Sequence, residues 1–232
     1  MQFKDHRVLI TGGSEGIGKA LAAAFTEHGA RVAIMARRRE PLEKTAKELG
    51  ALSIPGDVAV EADCNRVVEH AVAELGGLDV LVNNAAIGYS APVTEIDRTK
   101  FDHLIAVNVT GPMLMTRAVA PHFIRQKSGT LINISSTAGL KGFARGTPYV
   151  ASKFALKGMT ECWRDELRRH NVRVVLVNPS EVQTGFGGRG EPTHPDPKKL
   201  VSRDVADAIL GALILDTRGF VPELSIWATN PF

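Results

Sequence analysis

The stretch "RVLITGGSEGIGKAL", residues 7–21, decides how the rest of the chain is read. A short run of aliphatic and β-branched residues, 7–11, breaks at the glycine cluster "TGGSEGIG" (11–18), and helical periodicity begins within that cluster. One reading is a strand-to-helix turn that needs glycine and nothing more. The other is a site where backbone N–H groups and the positive end of a helix meet a dinucleotide pyrophosphate. Gly12, Gly16 and Gly18 have the spacing GxxxGxG rather than GxGxxG. Three glycines directly after the first strand favour the nucleotide reading, because a Cβ would block the approach of the phosphates. Ser14 and Ile17 belong to the same loop and share the assignment.

The pattern continues outward from this unit. Apolar runs recur at 31–36, 51–54, 78–82, 130–135 and 172–177, and most are continuous rather than alternating, as in strands buried on both faces. Segments of helical period lie between them at 16–28, 39–49, 60–75, 98–126 and 149–170. A further helix at 202–215 and a strand at about 223–227 complete the series. The expected fold is α/β, a Rossmann-type doubly wound, seven-stranded and mostly parallel sheet with helices on both faces. Nothing resembles a linker, so residues 1–232 read as one domain. Residues 183–200, "QTGFGGRGEPTHPDPKKL", are too rich in Gly and Pro for a long regular element. They read as a substrate lid or as a plain surface loop.

Composition narrows the function. A net charge of +3 over 232 residues gives no basis for a nucleic-acid partner. Cys64 and Cys162 form no framework of disulfides, so a reducing compartment is the default. The seven histidines are scattered, with no metal-binding spacing, and no metal is expected. There is no long apolar signal region and no run of membrane-spanning length, so the expected location is cytoplasmic, without a membrane partner.

The tip of the second strand bears on cofactor choice. An acidic residue there holds the ribose 2′-OH of NAD, whereas an arginine accommodates the 2′-phosphate of NADP. Here the strand runs into Ala36-Arg37-Arg38-Arg39. Arg37 is the candidate for a charge-assisted pairing with the phosphate. Glu15, in the glycine loop, argues the other way by repulsion. NADP(H) is favoured over NAD(H).

Further along, Tyr149 and Lys153 stand four residues apart in "YVASK", on one helix face. Taken alone the pair is weak evidence. Taken in order with TGxxxGxG, Gly56-Asp57-Val58, Asn83-Asn84-Ala85, Asn108 and Ser135-Ser136, it gives the chain a pattern that resembles the short-chain dehydrogenase/reductase family from about residue 5 to 228. The resemblance implies an NAD(P)-dependent oxidoreductase acting on a carbonyl or alcohol. It implies that Gly12, Gly16 and Gly18 meet the pyrophosphate, that Asp57 and Val58 contact adenine, and that Asn83 and Ala85 support the adenosine-side ribose and the sheet. Asn108, Ser136, Tyr149 and Lys153 match the catalytic tetrad, with Ser136 chosen over Ser135 for standing thirteen positions before the tyrosine. Pro179 and Thr184 match the segment that contacts nicotinamide.

The chemistry supplies reasons for these residue types. A free tyrosine ionises near pH 10, and a nearby cation would bring it closer to the working pH, where proton exchange is efficient. Lys153 would supply that charge and bond the nicotinamide ribose. Ser136 would orient the substrate oxygen, and Asn108 would hold a water linking Lys153 to solvent. Phe143 and Phe186 are assigned to substrate contact, with Ile87, Tyr89, Val93, Leu140 and Arg145 as further pocket wall. The chain departs from the family pattern at Ala86, at Ser180 after Pro179, where glycine would ease the backbone, and at the ending "VPELSIWATNPF". The expected partner is a small or medium carbonyl compound or alcohol. Apolar residues on several faces of 98–126 and 149–170, such as Phe154, Met159 and Trp163, imply a homodimer or homotetramer by the same resemblance. The competing reading is an NAD(P)-sensing binding protein without turnover. An epimerase or dehydratase would need a second domain for which there is no room.

Overall fold

The computed structural model describes residues 3–188, 194, 196–216 and 218–230. Six parallel pairings join seven strands in the order β3-β2-β1-β4-β5-β6-β9. These strands are β1 (Arg7–Thr11), β2 (Arg31–Ala36), β3 (Leu52–Pro55), β4 (Val80–Asn83), β5 (Gly129–Ile134), β6 (Val172–Pro179) and β9 (Glu223–Ile226). The sheet is wholly parallel where a mostly parallel one was expected. The connecting helices are α1 (Gly16–Glu27), α2 (Arg39–Leu49), α3 (Glu61–Leu75), α4 (Arg98–Ile105), α5 (Gly111–Gln126), α6 (Thr147–Leu167) and α7 (Ser202–Leu213).

The continuous apolar strands explain this architecture. In β1, Val8 and Ile10 point to one face with Leu21, Phe25 and Ile209, while Leu9 points to the other with Val68, Met115 and Phe123. Each of these three β1 residues is fully buried. A strand with no wet face must be covered on both sides, so α1, α2 and α7 lie on one face and α3, α5 and α6 on the other. The chain winds outward from β1 to β3, then returns to start again at β4 beside β1. That reversal opens a crevice beyond the carboxyl ends of β1 and β4, where ligands bind in folds of this type.

Two local departures matter for the site. The helix expected over 98–126 is interrupted by a π turn at Ala106–Thr110, which carries Asn108. Pro112 has no N–H to donate to the Asn108 carbonyl four residues back, so the regular ladder cannot pass through this point. The second departure lies in 183–200, of which residues 189–193 and 195 fall outside the described residues. The base of this segment is a two-stranded parallel ribbon, β7 (Val182–Gln183) with β8 (Leu200–Val201). The Gln183 side chain closes it, donating to the Asp196 carbonyl at 2.9 Å and accepting from the Asp196 N–H at 2.6 Å. Among the described residues no helix is long and apolar enough to cross a membrane.

Candidate active site

The opening glycine cluster forms the floor of a cleft of about 480 Å³, a size suited to a small-molecule ligand. Gly12 has φ +65°, and a Cβ there would stand 2.9 Å from both Ala85 Cα and Asn84 Nδ2. Gly16 also lies in the left-handed region, at φ +55°. Gly18 does not line the cleft. Its missing Cβ would fall 2.2 Å from the Gly12 carbonyl oxygen, so it lets α1 close onto the loop. The loop is tied to the β4 end from two sides. Asn84 Nδ2 donates to the Thr11 and Gly12 carbonyls at 2.9 and 3.1 Å. Thr11 Oγ1 accepts from the N–H groups of Asn84 and Ala85, each at 3.0 Å. Helix α1 starts at Gly16 with no acidic residue in its first turn and no side-chain cap from Glu15. Its positive end therefore meets the cleft beside Ser14 and Ile17, which both line it.

At the β2 end, Arg37, Arg38, Asp57 and Val58 line the same cleft. Arg38 Nη2 donates to Glu15 Oε2 at 2.7 Å, so the carboxylate expected to repel a 2′-phosphate carries its own counter-charge. Arg37 Nη1 stands 3.7 Å from Asp57 Oδ2. Asp57 is held in place as Oδ1 accepts from the Ala59 N–H at 2.9 Å and its own N–H donates to Asp63 Oδ2 at 2.9 Å.

The other end of the cleft gathers Ser136, Tyr149 and Lys153. Helix α6 begins at Thr147 with Pro148 in its first turn, earlier than periodicity suggested, so Tyr149 sits in that first turn and Lys153 one turn on. Lys153 is 2% exposed, and its Nζ donates to the Ile134 carbonyl at 2.9 Å. Burial pushes its ammonium down to about 8. The Nζ lies 5.6 Å from the centre of the Tyr149 ring. Burial pushes the Tyr149 phenol up to about 12, against a hydrogen bond with Ser136 that pulls it down. The expectation that Lys153 lowers the phenol is therefore not what governs it in this structure: desolvation outweighs every other influence. Ser136, not Ser135, is the serine that meets the phenol. Ser135 Oγ stands 3.5 Å from the Lys153 carbonyl.

Other expected residues divide in two. Ala85, Pro179, Thr184 and Phe186 line the cleft. Thr184 lies over the glycine loop, where a Cβ on Gly16 would be 3.6 Å from its methyl. Asn83, Asn108 and Phe143 do not line it. Asn83 is buried, and its Nδ2 donates to Asn133 Oδ1 at 2.9 Å and to Thr116 Oγ1 at 3.2 Å, joining β4, β5 and α5 beneath the site. These bonds are the support of the sheet expected of Asn83, while its neighbour Asn84 lines the cleft. Asn108 uses its amide as a clamp on Ile87, accepting from the Ile87 N–H at 2.8 Å and donating to the Ile87 carbonyl at 2.9 Å and to Ser152 Oγ at 3.2 Å. Phe143 is 56% exposed and lies over Gly146. Of the further wall residues, Ile87 lines the cleft, while Tyr89, Val93, Leu140 and Arg145 do not. Ser180 has no left-handed φ, so glycine was not needed after Pro179. Met35 and Gly185 line the cleft without any signal that singled them out, and Ala86, noted only as a departure from the family pattern, lines it too. Among the described residues no group of three or more His, Cys, Asp or Glu side chains comes together as a metal site.

A short chain dehydrogenase family model matches residues 6–193. An uncharacterised oxidoreductase of Staphylococcus aureus is 32% identical over 225 residues, covering 96% of each chain. Two solved structures resemble this one along their whole length. A metagenomic short-chain oxidoreductase in complex with NADP is 33% identical, with TM-score 0.86, over 99% of this chain and 100% of the other. The 3-ketoacyl-(acyl-carrier-protein) reductase of Brucella melitensis, complexed with NADH, is 28% identical, with TM-score 0.89, over 99% of each.

Proposed function

The chain belongs to the short-chain dehydrogenase family, and on that premise we propose that it is an NADP-preferring oxidoreductase that reduces a small or medium ketone or aldehyde, with Tyr149 as the proton donor. The observation that carries this reading is the placement of Ser136, Tyr149 and Lys153 at one end of a cleft whose other end is a glycine cradle at a helix N-terminus. The cradle suits a dinucleotide, since a Cβ at Gly12 would fill the space against Ala85. Gly12, Ser14, Gly16 and Ile17 would hold the pyrophosphate, Asp57 and Val58 the adenine, Ala85 the adenosine-side ribose, and Pro179 and Thr184 the nicotinamide. A bound nicotinamide cofactor supplies or accepts the hydride.

The chain's own groups handle the proton. Tyr149, kept protonated by burial, donates from its hydroxyl to the substrate oxygen as negative charge develops there. Ser136 donates to the same oxygen and fixes its position. Lys153, buried yet pushed only to about 8, is largely charged at neutral pH and can still exchange its proton. It would bond the nicotinamide ribose and return a proton to the tyrosinate. Asn108 would hold the relay water through the oxygen that already accepts from Ile87.

The NADP preference rests on Arg37 at the cleft rim, on the lack of a carboxylate at the β2 tip, and on the pairing of Glu15 with Arg38. The solved NADP complex of the metagenomic relative is in keeping with it. Phe154 on α6 is 46% exposed, which supports assembly into a homodimer or homotetramer. Light scattering should give a mass above that of one chain.

The test follows NADPH and NADH absorbance against ketones, aldehydes and α-diketones, and reduced-cofactor formation from alcohols. NADPH-dependent carbonyl reduction is expected. Binding of cofactor without turnover on any substrate would favour the cofactor-sensing alternative. Preference for NADH would overturn the role given to Arg37.

A further inference from the structure

Phe186 occupies a short turn, Phe186–Gly188, just beyond Thr184. Its ring centre lies 5.8 Å from that of Tyr149, with the two planes tilted by 56°. Two glycines permit this seat. A Cβ on Gly88 would come 3.1 Å from Phe186 Cε1 and 3.5 Å from Gly187 Cα, so a side chain there would press on the ring and shift it. Gly187 takes φ +75°, which reverses the chain immediately after the ring. The Phe186 N–H donates to Thr184 Oγ1 at 3.2 Å, anchoring the turn to the residue that lies over the glycine loop. The ring is nevertheless 42% exposed, with one side against Tyr149 and the other open. A rim phenylalanine gains no hydrogen bond from this position. What it gains is contact with the one phenol in the cleft.

We propose that Phe186 is a positioning residue for Tyr149: seated against Gly88, its ring keeps water from the phenol side chain and holds Tyr149 in the protonated form that donates to substrate. The inference rests on Tyr149 being the proton-transferring group. Burial is the influence that raises the phenol, and the Phe186 ring is part of the apolar surround that produces it. Removing the ring lets water stabilise the tyrosinate, so the phenol ionises at lower pH. The effect reaches the reaction through Tyr149 alone, without any contact between Phe186 and the transferred proton.

The composition makes a direct test possible, because Tyr89 and Tyr149 are the only two tyrosines. In a Tyr89→Phe parent, every tyrosine signal comes from Tyr149. N-acetylimidazole acetylates the phenolate, and the product is located by peptide mass spectrometry at a fixed neutral pH. Phe186→Ala in this parent is expected to react about tenfold faster, since a phenol pKa lower by about one gives ten times the phenolate at fixed pH. The half-point of tyrosinate absorbance should fall by about one pH unit. Gly88→Val, which displaces the ring but leaves Phe186 in the chain, should move both readouts in the same direction. Phe186→Leu, which keeps apolar bulk, should stay near the parent. Circular dichroism confirms that each variant is folded. Acetylation of Phe186→Ala at the parental rate, with an unshifted tyrosinate half-point, overturns the proposal. Neither readout needs substrate or cofactor, so failure of this inference is distinguishable from failure of the reaction assignment.

Discussion

Replacing Lys153 with methionine should stabilise the protein while removing its function. Lys153 is 2% exposed, and burial lowers its ammonium from 10.5 to about 8. A tenfold change in acidity corresponds to about 1.4 kcal/mol, so burying the charge destabilises the native state by about 3 kcal/mol at neutral pH. Methionine has similar length and no charge, but it leaves the Ile134 carbonyl without the 2.9 Å donor it now has. The donor is charged, so that loss returns about 2 kcal/mol, for a net gain of about 1 kcal/mol. The pH dependence gives a sharper signature. The folded pKa lies below the unfolded one, so between about 8 and 10.5 the unfolded chain holds a proton that the native state has released. Stability attributable to Lys153 therefore rises with pH across that window. From pH 7 to pH 9 the parent should gain about 1 kcal/mol over Lys153→Met. Urea unfolding of both proteins at the two pH values measures this. A variant less stable than the parent at pH 7, or a parent-to-variant difference that does not change with pH, refutes the reasoning.

Other perturbations probe the cleft. Gly18→Ala puts a Cβ 2.2 Å from the Gly12 carbonyl oxygen, so it should lower stability by about 2 kcal/mol and weaken NADPH binding in a fluorescence titration. Arg37→Ala should raise KM for NADPH by about tenfold or more and leave KM for NADH unchanged, since a hydrogen bond to a charged group contributes about 1.5–3 kcal/mol. Asn108→Ala strips both backbone groups of Ile87 of their partner and should lower the melting temperature by about 4–8 °C in calorimetry, the equivalent of about 2 kcal/mol for a domain of this size.

The alternation of strand and helix was legible because β1, β4, β5 and β6 are buried on both faces, which writes them as unbroken apolar runs. Tyr149, Lys153, Ser136 and the glycines were legible because close spacing and chain order carry their signal. Asn84 at the cleft wall was not legible beside Asn83, because the pleat sends adjacent side chains to opposite sides and the sequence does not say which one meets the cleft. Phe143 and Leu140 lie in a loop whose direction is set by tertiary contacts, so their apolar character did not reveal that they stay exposed outside the cleft lining. The ribbon of β7 and β8 has two residues in each strand, too few for any periodicity to show. The acidity of Tyr149 follows from burial, and Phe186, whose ring meets it, is far from it in sequence. The π turn had a trace in Pro112, whose missing N–H breaks the ladder at Asn108.

The central claim is that Tyr149 delivers a proton in a cleft that binds the cofactor without it. Tyr149→Phe keeps the ring that meets Phe186 and removes only the hydroxyl. The decisive measurement is a paired one, NADPH affinity and kcat for wild type and Tyr149→Phe on the best carbonyl substrate. An unchanged Kd is expected, with kcat lower by about 10²–10⁴. Equal kcat in the two proteins would contradict the claim.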